Sequence, residues 1–370
     1  GRVFSSGPES VRCMGWMREF RVNSTQHSWA YEMPAAIGAA FDLAVSEAWR
    51  FMGRTAPNPA VGCVLLDANG TVLVIAAHHR AGAAHAERLA VEQARQLGVV
   101  ERIHTAVVTL EPCNHTGRTP PCTEALLSRP VRTVWIGCAD PNPHVQGGGA
   151  AFLAERGLEV RWLAQSANAQ ATLNRCRALL APFASKAVRG RPWITVKQAL
   201  DSTGSMVPPA GRTTFTTPES LHFAHALRRV TDGVITATGT ARADRPDLTV
   251  RHVEDHPERR RLLVVCGQQA NVPADWLASR EQVFDVQFCP DSAALPDLLA
   301  RTEALWLLVE AGPTLLETLR RSTLWDDWLT IRQDTQGQDH FSVSTRQDVT
   351  PLSLFAEWAR CTQEAACSLV

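Results

Sequence analysis

The run "VGCVLLDANGTVLVIAAHHRAGAAHAERLAVEQARQLG", residues 61–98, sets the architecture of the first half of the chain. Residues 61–66 and 71–77 are apolar and rich in β-branched side chains. Between them lies Asn69-Gly70, a strong hairpin-turn signal. Two antiparallel strands are therefore expected. After Ala77 the period changes. From His85 to Leu97 the chain is rich in Ala, Glu and Arg at helical spacing, and Gly98 supplies a residue suited to ending a helix.

Working outward, residues 35–53, "AAIGAAFDLAVSEAWRFMG", repeat apolar positions as a helix does, and "TAPNPAVG" breaks it. Downstream, "HTAVVTL" reads as a strand, "TPPCTEALLS" opens a helix, and "RTVWIGC" is a strand. "AAFLAERG" and "LEVRWL" give one more helix and strand. The order α-β-β-α-β-α-β predicts a layered α/β domain of about 150 residues. The basic, aperiodic "ASKAVRGRPW", residues 184–193, is expected to be a linker. Beyond it, "PWITVKQAL", "DGVITAT", "RLLVVC" and "ALWLLVE" read as strands, with "TPESLHFAHALRR" and "PTLLETLRR" as helices. The pattern fades from about residue 332, in "RQDTQGQDHFSVSTRQDV".

The sequence has 370 residues, enough for two domains, and is 45% hydrophobic. Its 37 basic and 37 acidic residues cancel, which gives no reason to expect nucleic acid or an anionic membrane as partner. No run of about 18 uncharged apolar residues suggests a membrane span. Residues 1–28 are read as a flexible leader, with Met14 and Met17 as alternative starts; they lack the apolar core of an export signal. Ten scattered cysteines in such a chain suggest free thiols in a reducing cytoplasm.

Against that background "TLEPCNHTGRTPPC", residues 109–122, stands out. His85 lies at an expected helix start, Cys113 just beyond a strand and Cys122 at the next helix start. One imidazole and two thiolates are a ligand set that leaves a tetrahedral zinc one position for water, which the metal makes acidic enough to react near neutrality. Glu87, two residues after His85, is free to carry protons. The plainer readings are two buried small residues, or His115 as a rival ligand from within the loop. His-Ala-Glu followed by Pro-Cys and a second Cys resembles the signature of the zinc nucleobase deaminases, except that eight residues rather than two separate the cysteines.

Four segments together make the resemblance specific: "PNPAVGCV", "HHRAGAAHAE", "TLEPCNHTGRTPPC" and "ADPNPHVQGGG". With "GRPWITVKQAL", "GTARADRPDLTVR" and "LLVEAGPTLLETL" they resemble the bifunctional deaminase/reductase family of riboflavin biosynthesis, over roughly residues 35–330. That family has a similarly long cysteine spacing. The resemblance implies a cytidine-deaminase-like αβα domain at 29–183 and a dihydrofolate-reductase-like α/β domain at 190–370. It implies zinc on His85, Cys113 and Cys122, with Glu87 catalytic. Asn58, His78, Arg118, Asp140 and Asn142 are then expected around a phosphoribosylated pyrimidine. In the second half it implies Lys197 in the active site and Arg228, Leu248, Arg251 and Glu310 on the substrate. Thr240, Asp244, Gly312, Pro313, Thr314 and Leu315 would contact NADPH, and a homo-oligomer would assemble through the reductase-like half.

The residues themselves support part of this. Gly312 between a strand and a helix allows close approach of a ligand to a helix N-terminus, and the absence of Gly-x-Gly-x-x-Gly argues against a Rossmann site. Asn58 and Asn142 also sit in Pro-Asn-Pro turns, where local chemistry alone accounts for Asn. Three segments depart from the family pattern: Asp201-Ser202-Thr203-Gly204, residues 212–216, and Gln198 and Leu200 on the first strand of the second half. Two other enzyme readings therefore accompany the main one. One is a diverged member in a toxoflavin-like secondary-metabolite branch. The other is a deaminase alone, with the second half as an oligomerisation scaffold.

Overall fold

The computed structural model describes residues 31–115, 120–142, 148–212 and 214–356. The first half runs α1 (Ala35–Trp49), β1 (Gly62–Leu66), β2 (Val72–Ala77), α2 (Ala86–Gln96), β3 (Thr105–Leu110), α3 (Cys122–Leu127), β4 (Thr133–Cys138), α4 (Gly148–Glu155), β5 (Glu159–Trp162) and α5 (Gln170–Arg189). Its five-stranded sheet has the order β2-β1-β3-β4-β5. The expected hairpin pairs β1 with β2, β3 is antiparallel to β1, and β3, β4 and β5 run parallel. Helices α1 and α5 pack together on this sheet, and α2, α3 and α4 form the other group. Every residue of β1, β3 and β4 is buried. A sheet covered on both faces buries both sets of alternating side chains, so its strands read as continuous apolar runs.

The second half runs β6 (Trp193–Leu200), α6 (Pro218–Val230), β7 (Gly233–Ala237), α7 (Thr238–Asp244), β8 (Arg261–Cys266), α8 (Ala274–Glu281), β9 (Phe284–Cys289), α9 (Leu295–Arg301), β10 (Trp306–Val309), α10 (Pro313–Arg320), β11 (Asp327–Gln333) and β12 (Asp339–Thr345). The sheet order is β12-β11-β6-β10-β7-β8-β9, parallel throughout except for the last hairpin, β11 with β12. In such a sheet the loops at the strand carboxyl ends form the ligand crevice.

Two expectations need correction. The segment expected to be an aperiodic linker is helical through Arg189, where Gly190 ends α5 in the left-handed region, leaving only residues 190–192 as connection. Its basic character has a structural cause. Arg189 and Arg191 both pair with the fully buried Asp326, at 2.6 and 2.9 Å. The fading pattern beyond residue 332 conceals β12, whose residues are all exposed or half-buried, so no hydrophobic alternation marks it. Two of the departures from the family pattern, at Asp201–Gly204 and at Gln198, fold into ordinary local structure. Asp201 Oδ1 accepts from the amides of Thr203 and Ser205, and Gln198 Oε1 accepts from the Trp328 indole at 3.1 Å.

The halves share one core. The cluster built on α1 and the first sheet continues through Trp193, Leu227, Trp306, Leu329 and Phe355 of the second half. The Trp49 ring meets Trp306 and Phe355, with centroids 6.2 and 6.4 Å apart.

Candidate active sites

His85 is the residue before the first turn of α2, Cys113 follows β3, and Cys122 begins α3. Three consecutive elements thus bring their ends to one point. His85 Nδ1 lies 3.3 Å from Cys122 Sγ and 3.7 Å from Cys113 Sγ, and all three donor atoms fall within 4.8 Å of one another. Tetrahedral zinc, with bonds of about 2.0–2.3 Å, sets its ligand atoms about 3.5–3.8 Å apart, so this donor set fits the ion. Among the described residues no other group of three such side chains converges in this way. His115, the rival donor, is exposed in the loop.

A hydrogen bond from Cys122, then His85, holds the Cys113 thiol well below its ordinary value, and that same bond pushes Cys122 up. A bound divalent cation favours both as thiolates. Glu87, in the first turn of α2, is only 3% exposed. Burial raises its carboxyl above the usual range, which suits a group that must take and return a proton.

His78 and Asn58 form a pair beside this cluster. The His78 Nδ1–H donates to the Ala84 carbonyl at 3.0 Å, leaving Nε2 to accept from Asn58 Nδ2 at 3.2 Å. Burial lowers the His78 pKa, which keeps this neutral form. The His78 and His85 rings meet edge to face, 5.5 Å apart. Asp140 Oδ1 accepts from the Asn142 amide at 2.8 Å, a local turn, and burial raises the Asp140 carboxyl. Arg118 lies outside the described residues.

Sequence reasoning missed Glu111. Its buried carboxylate accepts from Asp140 N at 3.3 Å and Ala150 N at 3.0 Å, so one side chain ties both ends of the 140–150 segment to the strand end that carries Cys113. Gly149 completes the fit: a Cβ there would lie 1.8 Å from the Pro112 carbonyl. The available signal was an acid placed directly before Pro-Cys.

In the second half, the register of β6 against β10 pairs Val196 with Val309, so Lys197 and Glu310 follow side by side. Lys197 Nζ is 2.5 Å from Glu310 Oε1, and Arg228 Nε is 2.7 Å from Glu310 Oε2. Arg228 also donates to the Thr249 carbonyl at 2.9 Å. Burial alone would raise the Glu310 carboxyl, but Arg228 and Lys197 hold it well below the usual carboxylate range. Arg251 is exposed, and its amide donates to His225 Nδ1 at 3.0 Å. Leu248, expected as a substrate contact, sits at φ 63° with its side chain in the core beside Ala241, Leu263 and Trp276, leaving little of it for a ligand.

The Gly312 amide donates to Thr240 Oγ1 at 2.9 Å, joining the carboxyl ends of β7 and β10. Gly312 precedes α10, whose first turn has no acidic residue and no side-chain cap. Pro313 and Thr314 are exposed there, whereas Leu315 is buried in the core. This open helix N-terminus fits the phosphates of a dinucleotide. Asp244 is exposed at the far end of α7.

The family model for the cytidine and deoxycytidylate deaminase zinc-binding region matches residues 36–138, and that for the RibD C-terminal domain matches 192–331. The chain is 35% identical over 300 residues to riboflavin biosynthesis protein RibD of Corynebacterium ammoniagenes, covering 80% of this chain and 84% of the relative. It is 31% identical over 321 residues to RibD of Escherichia coli K12, covering 77% and 83%. A crystal structure of a diaminohydroxyphosphoribosylaminopyrimidine deaminase/5-amino-6-(5-phosphoribosylamino)uracil reductase from Thermotoga maritima superposes with a TM-score of 0.69. That match has 25% identity and covers 80% of this chain and 86% of that one. Acinetobacter baumannii RibD, form 1, gives a TM-score of 0.65 at 28% identity, covering 81% and 87%. Fold and site define a bifunctional enzyme, a zinc-dependent deaminase joined to an NADPH-dependent reductase. The chain belongs to the RibD family of riboflavin biosynthesis proteins.

Proposed function

We propose that the first half hydrolyses the exocyclic amine of 2,5-diamino-6-(5-phosphoribosylamino)pyrimidin-4-one, and that the second reduces the ribosyl group of the product to a ribityl chain. The observation that carries this reading is the convergence of His85, Cys113 and Cys122 beside the buried Glu87. Zinc, when bound by these three residues, supplies the acidity that makes water a nucleophile. Glu87 takes a proton from the attacking water as the carbon–oxygen bond forms, then gives it to the amine as the carbon–nitrogen bond breaks and ammonia leaves. Asn58 and His78 orient the pyrimidine, Asp140 and Asn142 hold the ribosyl side, and Arg118 takes the phosphate.

In the second half NADPH supplies the hydride. Gly312 and the first turn of α10, with Thr240, hold its phosphates. Lys197 and Arg228, both paired with Glu310, face the ribosyl phosphate end together with Arg251, and Lys197 carries the accompanying proton. A homo-oligomer through this half is part of the reading; the exposed Phe341 and Val343 on the outer strand β12 favour it. So is a cytoplasmic location, which accords with free thiols at all seven described cysteines. Among the described residues no helix is long and apolar enough to cross a membrane.

The test is an assay of ammonia release and NADPH oxidation with the diamino substrate. Ammonia without NADPH, and both products with it, are expected. Ammonia release without any NADPH oxidation would leave the second half a scaffold, and no ammonia from the zinc-loaded enzyme would refute the deaminase assignment.

A further inference from the structure

The chain beyond α1 leads directly to the first active site. Thr55 is buried, its hydroxyl donates to the Asn58 carbonyl, and the Asn58 amide donates back to the Thr55 carbonyl, both at 2.9 Å. This closed turn aims Asn58 at His78. What holds the turn in place comes from the other half of the molecule. The turn that follows α1 carries buried backbone carbonyls that need partners of their own. Arg229 donates to the Arg50 carbonyl at 3.4 Å, His256 Nε2 to the Met52 carbonyl at 2.8 Å, and the Arg259 Nε to the Gly53 carbonyl. The three donors lie 179, 204 and 206 residues downstream.

The backbones also touch. Gly53 has φ +88°, and a Cβ there would stand 2.4 Å from the Arg229 carbonyl. A second route runs through side chains: Phe51 stacks on His79 with ring centroids 4.1 Å apart, and His79 follows His78. The donors are themselves anchored. Asp232 pairs with Arg259 at 3.2 Å and accepts from the amides of Leu305 and Trp306. Asp255 grips Arg261, which donates to the Arg229 and Thr231 carbonyls. His256 is buried, and burial followed by the nearby Arg229 lowers its pKa to about 4, so it is a neutral Nε2–H donor at working pH.

We infer that the reductase half is part of the deaminase's substrate-binding apparatus: His256 and Arg259 are positioning residues that hold the turn after α1 and so fix the loop carrying Asn58. The inference rests on Asn58 as a pyrimidine contact. It makes deamination depend on a domain that contributes no atom to the zinc cluster. Without these partners the Met52–Gly53 backbone loses its anchors, and a shifted turn lets Asn58 swing away from His78.

The experiment uses the full chain and measures each activity alone: ammonia release from the diamino substrate, and NADPH oxidation with substrate already deaminated. His256→Ala is expected to raise the deaminase KM about tenfold, the effect of one lost buried hydrogen bond. Its zinc content and its reductase kinetics stay within about twofold of the parent. His256→Gln, which returns an N–H near the same place, recovers most of the KM, and Arg259→Ala repeats the defect. Asn58→Ala serves as the reference for the loop. If Asn58→Ala raises KM while His256→Ala and Arg259→Ala do not, the inference is overturned and the site assignment stands. If Asn58→Ala has no effect, the site assignment fails and the inference with it. Equal loss of both activities in His256→Ala and His256→Gln also overturns it, because the defect is then in folding and not in the loop.

Discussion

Replacing Glu310 by Gln removes one charge from a cluster of three and keeps the shape. In the parent, the carboxylate sits between Lys197 at 2.5 Å and Arg228 at 2.7 Å, with side-chain exposures of 17% and 12% for the cations and 8% for Glu310. Breaking a fully buried ion pair by removing one partner costs about 3–5 kcal/mol. Here both cations retain some water and the amide oxygen still accepts one hydrogen bond, so a loss of about 2–3 kcal/mol is expected. The pH dependence has a definite sign. The folded Glu310 carboxyl is depressed, so its contribution is full above the ordinary carboxyl value of about 4.3 and declines as pH falls toward the folded value. Urea denaturation of parent and variant should therefore differ by a constant amount from pH 8 to about pH 5 and converge below that. NADPH oxidation should fall at least about tenfold, because Lys197 and Arg228 lose the group that fixes them, while ammonia release is unchanged. A variant within about 0.5 kcal/mol of the parent that reduces at the parental rate would refute this account of the cluster.

Glu87→Gln should lower ammonia release by about 10²–10⁴-fold with zinc content intact, as measured by metal analysis on the purified variant. Chelation, or Cys113→Ser with Cys122→Ser, should abolish deamination and leave reduction of pre-deaminated substrate running, since no part of the zinc cluster lies in the second half. Glu111→Gln puts an N–H where the amide of Asp140 or Ala150 now donates; the deaminase KM should rise several-fold with little change in zinc binding, and an unchanged KM would argue against its holding the 140–150 segment. Gly149→Ala should destabilise the first half by several kcal/mol, read as a lowered urea midpoint for deaminase activity, because the new methyl meets the Pro112 carbonyl and neither backbone can move aside.

Much of the molecule was legible in residue order because its signals are local. The Asn69-Gly70 turn, the apolar strands and the Pro218 helix start each depend on a few neighbours, and each is found where expected. The zinc cluster was legible for a related reason: its ligands sit at element ends, and ends carry strong sequence punctuation. Glu111 was harder to see because a buried acid before Pro-Cys announces no partner; its partners lie about 29 and 39 residues away. The basic segment 184–193 misled because a basic, aperiodic run with Gly190 and Pro192 has the pattern of a linker, whereas Arg189 and Arg191 serve the buried Asp326. Strand β12 was invisible because a strand exposed on both faces has no period to detect.

The sequence by itself determined the two α/β halves, the His85, Cys113 and Cys122 set with Glu87 on the same helix start, and the phosphate-compatible strand-to-helix turn at Gly312. Periodicity, turn residues and motif spacing carry that information along the chain. Only the tertiary structure decided which distant groups share a charge or a carbonyl: Glu310 between Lys197 and Arg228, Glu111 across the 140–150 segment, and Arg229, His256 and Arg259 on the turn after α1. Buried polar groups must find partners wherever folding brings them, and sequence separation places no limit on where those partners come from.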